Sequence, residues 1–277
     1  NINTINDNNK TKTINIINKL EKQREKKYNS TFINLRPLLG IFNWAEFLWL
    51  IGGAQAGKSY AIIDFFCHQF VEHGTPFYWI RLTQRQSKQL LENNAEKLID
   101  PDIRRRYGFD IVTRGENVYV VERDEKEIHK KDGSTELKTV ITKKTLLARV
   151  MDLSTYYADK GNGYFDKDYK GWYNIGLDEF QPEKNEKRTF DVVYAFVRQM
   201  ENLVRNTKSH VRIIGACNLL EEASDILCCF NFIPEQFGVY KLKSKRCVIA
   251  YIEPTEAYKA MRQGSIADIL MPKASMY

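Results

Sequence analysis

The chain has no apolar run approaching the roughly 18 residues that a membrane-crossing helix needs, which excludes a helical span. It is also poor in metal-binding and redox patterning. Its five cysteines (Cys67, Cys217, Cys228, Cys229 and Cys247) form no CxxC pair, and no His stands at metal-ligand spacing from them. That excludes a zinc ribbon or a dithiol redox motif and leaves reduced, mostly buried thiols, as expected of a cytosolic protein. The first residues are polar and Asn-rich, without the apolar stretch of a signal peptide. They begin at Asn1 rather than Met, which we read as a fragment or a trimmed chain. Neither sign of charge dominates: 42 Lys+Arg against 35 Asp+Glu give +7 and leave room for a polyanion partner without establishing one.

What is present is ordinary globular material, 43% hydrophobic and 28% charged. At 277 residues, one large α/β core with appendages is expected rather than two full domains. Residues 1–31, rich in Asn, Lys and Thr, predict a flexible arm. Residues 32–235 predict the core domain.

Within the core, Phe47-Leu48-Trp49-Leu50-Ile51 is continuously apolar and bounded by Gly52-Gly53, the pattern of a strand buried on both faces of a parallel sheet. Lys58 to Val71 has apolar residues at helical spacing, and a second apolar run, Phe77 to Ile80, follows Thr75-Pro76. Strand, helix, strand within about 35 residues is a βαβ unit. Ser87 to Leu98 predicts another helix. Residues 109–150 predict an inserted β-hairpin whose strands, Val118 to Val121 and Leu137 to Ile141, are half-buried around a charged tip at Lys130-Lys131. Tyr173 to Leu177 and Val211 to Ala216 are again buried strands, with a helix from Phe190 to Leu203 between them. A last hairpin, Phe237 to Tyr240 with Cys247 to Tyr251, precedes a helix from Thr255.

The segment Gly52-Gly53-Ala54-Gln55-Ala56-Gly57-Lys58-Ser59 fits GxxxxGK[ST] without a mismatch, between a buried strand and a helix. Small residues let successive backbone N–H groups curl around phosphate oxygens, and the helix beginning there adds the positive end of its dipole. Lys58 reaches β- and γ-phosphate oxygens, and Ser59 is placed to ligate Mg²⁺. Together with Tyr60, this loop is the expected ATP-binding segment.

Hydrolysis needs a carboxylate for the metal and a group that activates water. Asp178-Glu179, closing the strand from Tyr173, supplies both: Asp178 for Mg²⁺, with Ser59, and Glu179 to polarise the attacking water. Two adjacent carboxylates are awkward to keep ionised together without a nearby cation. Asn218, after the next strand, is a candidate to position water or sense the γ-phosphate, or is simply a turn former. No Asn-Lys-x-Asp segment follows the loop, which argues against a GTPase. Small-molecule kinases usually lack the Glu beside the metal Asp. The expected fold is therefore a RecA-like P-loop NTPase core of the additional-strand, catalytic-Glu type: a mainly parallel sheet flanked by helices.

With these motifs in place, the chain resembles the DNA-packaging ATPases of Picovirinae, small tailed phages with protein-primed genomes. The likeness lies in Ile51 to Tyr60, Gly74 to Arg81, Gly176 to Lys184 and Asn202 to Pro234. It implies a homomeric ring of five subunits on the portal of an empty procapsid in the host cytoplasm, threading double-stranded DNA inward with ATP. A structural RNA is a further partner left open, and by the same resemblance residues 236–277 correspond to a linker region leading to a further domain. The resemblance also places Arg205 as an arginine finger reaching a neighbour's ATP, although at a helix end it could equally serve as a dipole partner. It matches Lys160 and Lys184 to lysines facing the DNA channel, against a solvated reading of each. The hairpin is longer than the resemblance implies, so Lys130 and Lys131 are either a DNA surface or a solvated tip. Other readings are a different P-loop translocase or helicase, and a nucleotide-dependent assembly module. An intact Asp178-Glu179 argues against the last.

Overall fold

The computed structural model describes residues 33, 35–53, 56–129, 135–161, 171–181, 189–204, 211–218, 224–266 and 269. In chain order the elements are α1 (Leu35–Ile41), β1 (Phe47–Ile51), α2 (Lys58–His73), β2 (Phe77–Arg81), α3 (Gln84–Ala95), α4 (Pro101–Tyr107), β3 (Ile111–Arg114), β4 (Asn117–His129) and β5 (Thr135–Asp152). They continue with β6 (Tyr173–Asp178), α5 (Val192–Val204), β7 (Val211–Cys217), α6 (Asp225–Cys228), β8 (Gly238–Leu242), β9 (Cys247–Tyr251) and α7 (Glu256–Arg262).

The apolar runs form one nine-stranded sheet in the order β3-β4-β5-β2-β6-β7-β1-β9-β8. From β5 to β9 the strands are parallel, so their carboxyl ends share one edge. β7 lies between β1 and β6, which is the additional strand of the expected class. Alternate residues of β1 explain why its run is continuously apolar. Leu48 and Leu50 pack with α1 to α4 on one face, while Trp49 and Ile51 pack with α5 and α6 on the other.

The register is set by two tryptophans laid over two glycines. Trp49 pairs with Gly215 and Trp79 with Gly176. A Cβ built on Gly215 would stand 2.2 Å from the Trp49 ring, and one on Gly176 would stand 2.3 Å from the Trp79 ring. Each indole occupies the space its neighbour's missing side chain leaves open, one on each face of the sheet.

Several local expectations are corrected by tertiary structure. α3 starts at Gln84 rather than Ser87, because Thr83 and Gln86 form a reciprocal capping box. Regular geometry breaks at Glu92, and Asn93, Asn94 and Ala95 are left-handed at φ 52°, 56° and 61°. α4 was not anticipated, although Asp100 caps it and Pro101 opens it. In the hairpin, Val118 and Val121 are buried as expected, but Leu137 and Ile141 are 63% and 46% exposed. The strands there run past the helical layer, so alternation has no core to face. At the other end, β9 pairs in parallel with β1, so residues beyond 235 contribute to the same sheet as the core.

Gly215→Ala should lower stability by about 1–3 kcal/mol through overpacking against Trp49. Gly40→Ala, in α1 with nothing within 4 Å, should be neutral or stabilising. Urea unfolding of the two variants checks this, and a Gly215→Ala protein as stable as wild type would contradict the packing account.

Candidate functional site

The carboxyl edge of the sheet gathers the polar residues that the buried strands cannot hold in their interior. β1 hands over to the phosphate loop. β6 ends in Asp178, β7 in Cys217-Asn218, and β2 in Arg81. The loop enters α2 through Gly57, whose φ of 77° is the left-handed conformation that glycine adopts without strain.

Lys58, only 6% exposed, donates from Nζ to the Gly52 and Gly53 carbonyls at 3.0 and 2.7 Å. Asn218 Oδ1 stands 3.5 Å from the same amine. Burial lowers the Lys58 pKa, opposed by the charges of Cys217, Asp178 and Glu179. Among the described residues no carboxylate lies within ion-pair distance of Lys58, so this buried cation has carbonyl dipoles but no anion. Cys217, buried beside it, has its thiol pushed up to about 12 by desolvation, with Lys58 opposing.

Ser59 Oγ donates to Asp178 Oδ1 at 2.6 Å, joining residues 119 positions apart. Asp178 is 5% exposed, and burial raises its pKa against the opposing effects of Arg81 and the Ser59 hydrogen bond. Arg81 Nη1 is 3.4 Å from Asp178 Oδ2 and forms a second ion pair with Glu179 Oε2. Arg81 is therefore the cation that lets adjacent carboxylates coexist. Glu179 adopts φ 50°, which turns its half-exposed side chain out of the strand while Asp178 stays in. Phe180 then returns to the core against Trp49, with ring centroids 5.0 Å apart. The left-handed turn is thus pinned on both sides.

A cleft of about 240 Å³ lies between the start of α2, the ends of β2 and β6, and the α3–α4 connection. Its lining includes Ser59, Arg81, Asp178 and Glu179, with Tyr60, Leu90 and Ile103. These residues fit a triphosphate with a divalent cation. Among the described residues the buried amine has no carboxylate within ion-pair distance, and the donors at Ser59 and Asp178 are all oxygen, as Mg²⁺ requires.

Of the expected site residues, Lys58, Ser59, Asp178, Glu179 and Asn218 come together here, with Gly52, Gly53, Ala56 and Gly57 shaping the loop. Ala54, Gln55, Lys130, Lys131, Lys184 and Arg205 lie outside the described residues. Lys160 is exposed, at the end of the 3-10 turn Tyr156–Asp159 that follows β5. Tyr60 lines the cleft, but its hydroxyl faces α4, donating to Asp102 at 2.7 Å and accepting from Arg106 at 3.2 Å. Arg106, 8% exposed, also pairs with Asp64 and Asp102, tying α4 to the phosphate-loop helix. Arg81 and this network were not anticipated. For Arg81 the signal was available: a charged residue closing an otherwise buried run, as Asp178 does.

No protein-family model matches the chain, and no curated protein does. Solved structures do. The N-terminal domain of the DNA packaging ATPase from bacteriophage phi29 superposes with a TM-score of 0.58 at 21% identity, over 81% of this chain and 98% of that one. The fold is that of a phage DNA-packaging ATPase domain. The bacteriophage Phi-29 viral genome packaging motor assembly gives 0.59 at 21% identity, and the Phi-28 gp11 DNA packaging motor gives 0.57 at 14%. Matches to these two cover 89% and 80% of this chain but only 64% and 60% of the motor chains.

Arg81→Met should destabilise the nucleotide-free protein by about 1–3 kcal/mol, because it strands the buried Asp178 carboxylate. Adding Asp178→Asn should recover most of that loss. Additive losses in a double-mutant cycle would show that the ion pair is not what holds this edge.

Proposed function

We propose that the chain is an ATP-hydrolysing motor subunit that drives double-stranded DNA into an empty viral procapsid. The observation that carries this reading is the convergence of Lys58, Ser59, Asp178 and Glu179 at one sheet edge, on a fold shared with packaging ATPases. The loop from Gly52 to Tyr60 would bind the triphosphate of ATP, with Lys58 supplying the missing counter-charge to the β- and γ-phosphates. Ser59 and Asp178 would hold Mg²⁺, which when bound neutralises charge on the phosphate oxygens. Glu179, aimed outward by its left-handed backbone, accepts the proton of the attacking water. Asn218, beside Lys58, orients that water or reads the γ-phosphate.

Arg205 follows the last residue of α5 and serves as the finger that one subunit offers to its neighbour's ATP. Such a group typically contributes about 10³–10⁵ in rate. A finger acting between subunits requires a closed ring, for which five copies on the portal is our reading. Lys160 and Lys184, with Lys130 and Lys131 between β4 and β5 in sequence, contact the DNA backbone without reading bases. The motor acts in the host cytoplasm while docked at the portal vertex; a structural RNA remains a further candidate partner.

Glu179→Gln should retain ATP binding but hydrolyse it at least about tenfold more slowly, as loss of a general base requires. A mutant that turns over at the wild-type rate would remove Glu179 from the mechanism, and a wild type that binds ATP without turnover would favour an assembly module. Arg205→Ala subunits mixed with wild type should suppress activity more than in proportion to their fraction. Strictly proportional loss would mean that subunits act alone.

A further inference from the structure

The amino edge of the sheet, opposite the nucleotide residues, carries a feature that hydrolysis does not use. At the end of β8 and in the turn that joins it to β9, Lys241, Lys243, Lys245 and Arg246 are all exposed within six residues. Because β9 runs parallel to β1, this turn lies at the end of the sheet where β1 begins.

The turn is held rigidly. Arg246 adopts φ 50°, and its N–H closes the turn on the Lys243 carbonyl at 3.0 Å. The Arg246 carbonyl then accepts from the backbone N–H groups of Glu46 and Phe47 at 2.8 and 3.1 Å, fixing the turn to the start of β1. Arg246 Nη2 pairs with Glu46 Oε1 at 2.9 Å, and Lys241 Nζ sits 5.3 Å from the Phe42 ring centroid. Lys243 and Lys245 have no ion-pair partner among the described residues. Four cations against one carboxylate leave three positive charges uncompensated, a large share of the chain's net +7.

We infer that this turn is a second phosphate-backbone contact, one that binds a nucleic-acid duplex at the sheet edge opposite the ATP residues. Exposed point charges on lysine stems suit repeated phosphates rather than a shaped ligand. The turn itself holds no aromatic ring to stack an unpaired base, which favours a duplex over a single strand. The rigid backbone keeps its charges together, so a polyanion gains from all of them at once by releasing its counterions. The inference goes beyond the ATP site and does not depend on turnover.

The test is duplex binding by nucleotide-free protein across a salt series, using a fluorescent DNA duplex and an RNA duplex of the same sequence. K241Q/K243Q/K245Q should reduce the slope of log K against log salt by about 2–3. At low salt it should weaken binding at least tenfold, while melting temperature and DNA-free ATP hydrolysis stay at wild-type values. R85Q/K88Q/R114Q removes the same charge from exposed positions elsewhere and should change the slope little. A loss confined to DNA or to RNA identifies which duplex the turn meets, and either upholds the site. An unchanged slope with both duplexes, or an equal loss in the control, would overturn it while leaving the hydrolysis reading intact.

Discussion

The hydrogen bond between Ser59 and Asp178 depends on β7 lying between β1 and β6 in one register. Ser59 follows β1 by way of the phosphate loop, and Asp178 ends β6, so the two meet only if both strands stop at the same height. A slip of one residue would move Asp178 by about 3.3 Å and turn its side chain to the other face of the sheet. Trp49 over Gly215 and Trp79 over Gly176 oppose that slip, because no other pairing offers either indole an empty site. Core packing and the geometry of the candidate site are in this sense the same constraint. The bulk that stabilises the sheet also fixes the height of its carboxyl edge.

Charge at that edge is arranged in opposition. Burial works against the ionised forms of both Lys58 and Asp178, and each is sustained by groups from other strands. Arg81 is held by two carboxylates, whereas among the described residues Lys58 has hydrogen bonds to carbonyls and Asn218 and no carboxylate within ion-pair distance. The site is therefore short of negative charge at Lys58, where a polyphosphate would supply it. Fixed dipoles and charges of this kind act strongly because little water reaches them to screen the field. Glu179 is the exception, half exposed on a strained turn that Asp178 and Phe180 anchor on either side.

Much of this was legible in the sequence because it is written locally. The phosphate loop, the Asp-Glu pair and the apolar runs each depend on neighbours a few residues away, and the structure forms the corresponding strands and helices. Pairing partners are a different matter. Nothing in Cys247 to Tyr251 says that it joins β1 rather than forming a separate hairpin, since partner choice rests on surfaces more than 190 residues apart. Leu137 and Ile141 misled in the opposite way, because alternation reports a pleat but not whether a helix covers it. The Tyr60, Asp102 and Arg106 network could not be read either, as it requires α4 to be already docked on α2. Asp100-Pro101, by contrast, was a readable helix start that went unused.

The exposed basic residues at 241–246 lie beyond the start of β1, whereas Lys160 follows β5 at the carboxyl end of the sheet. A motor on a duplex couples such contacts to hydrolysis, and a simple nucleotide-binding module does not. The most direct measurement is steady-state ATP hydrolysis with and without long double-stranded DNA, over a range of protein and salt concentrations. The account predicts turnover that rises with DNA and with protein concentration and falls as salt is added. Hydrolysis indifferent to DNA at every concentration would contradict a DNA motor and leave only an ATPase.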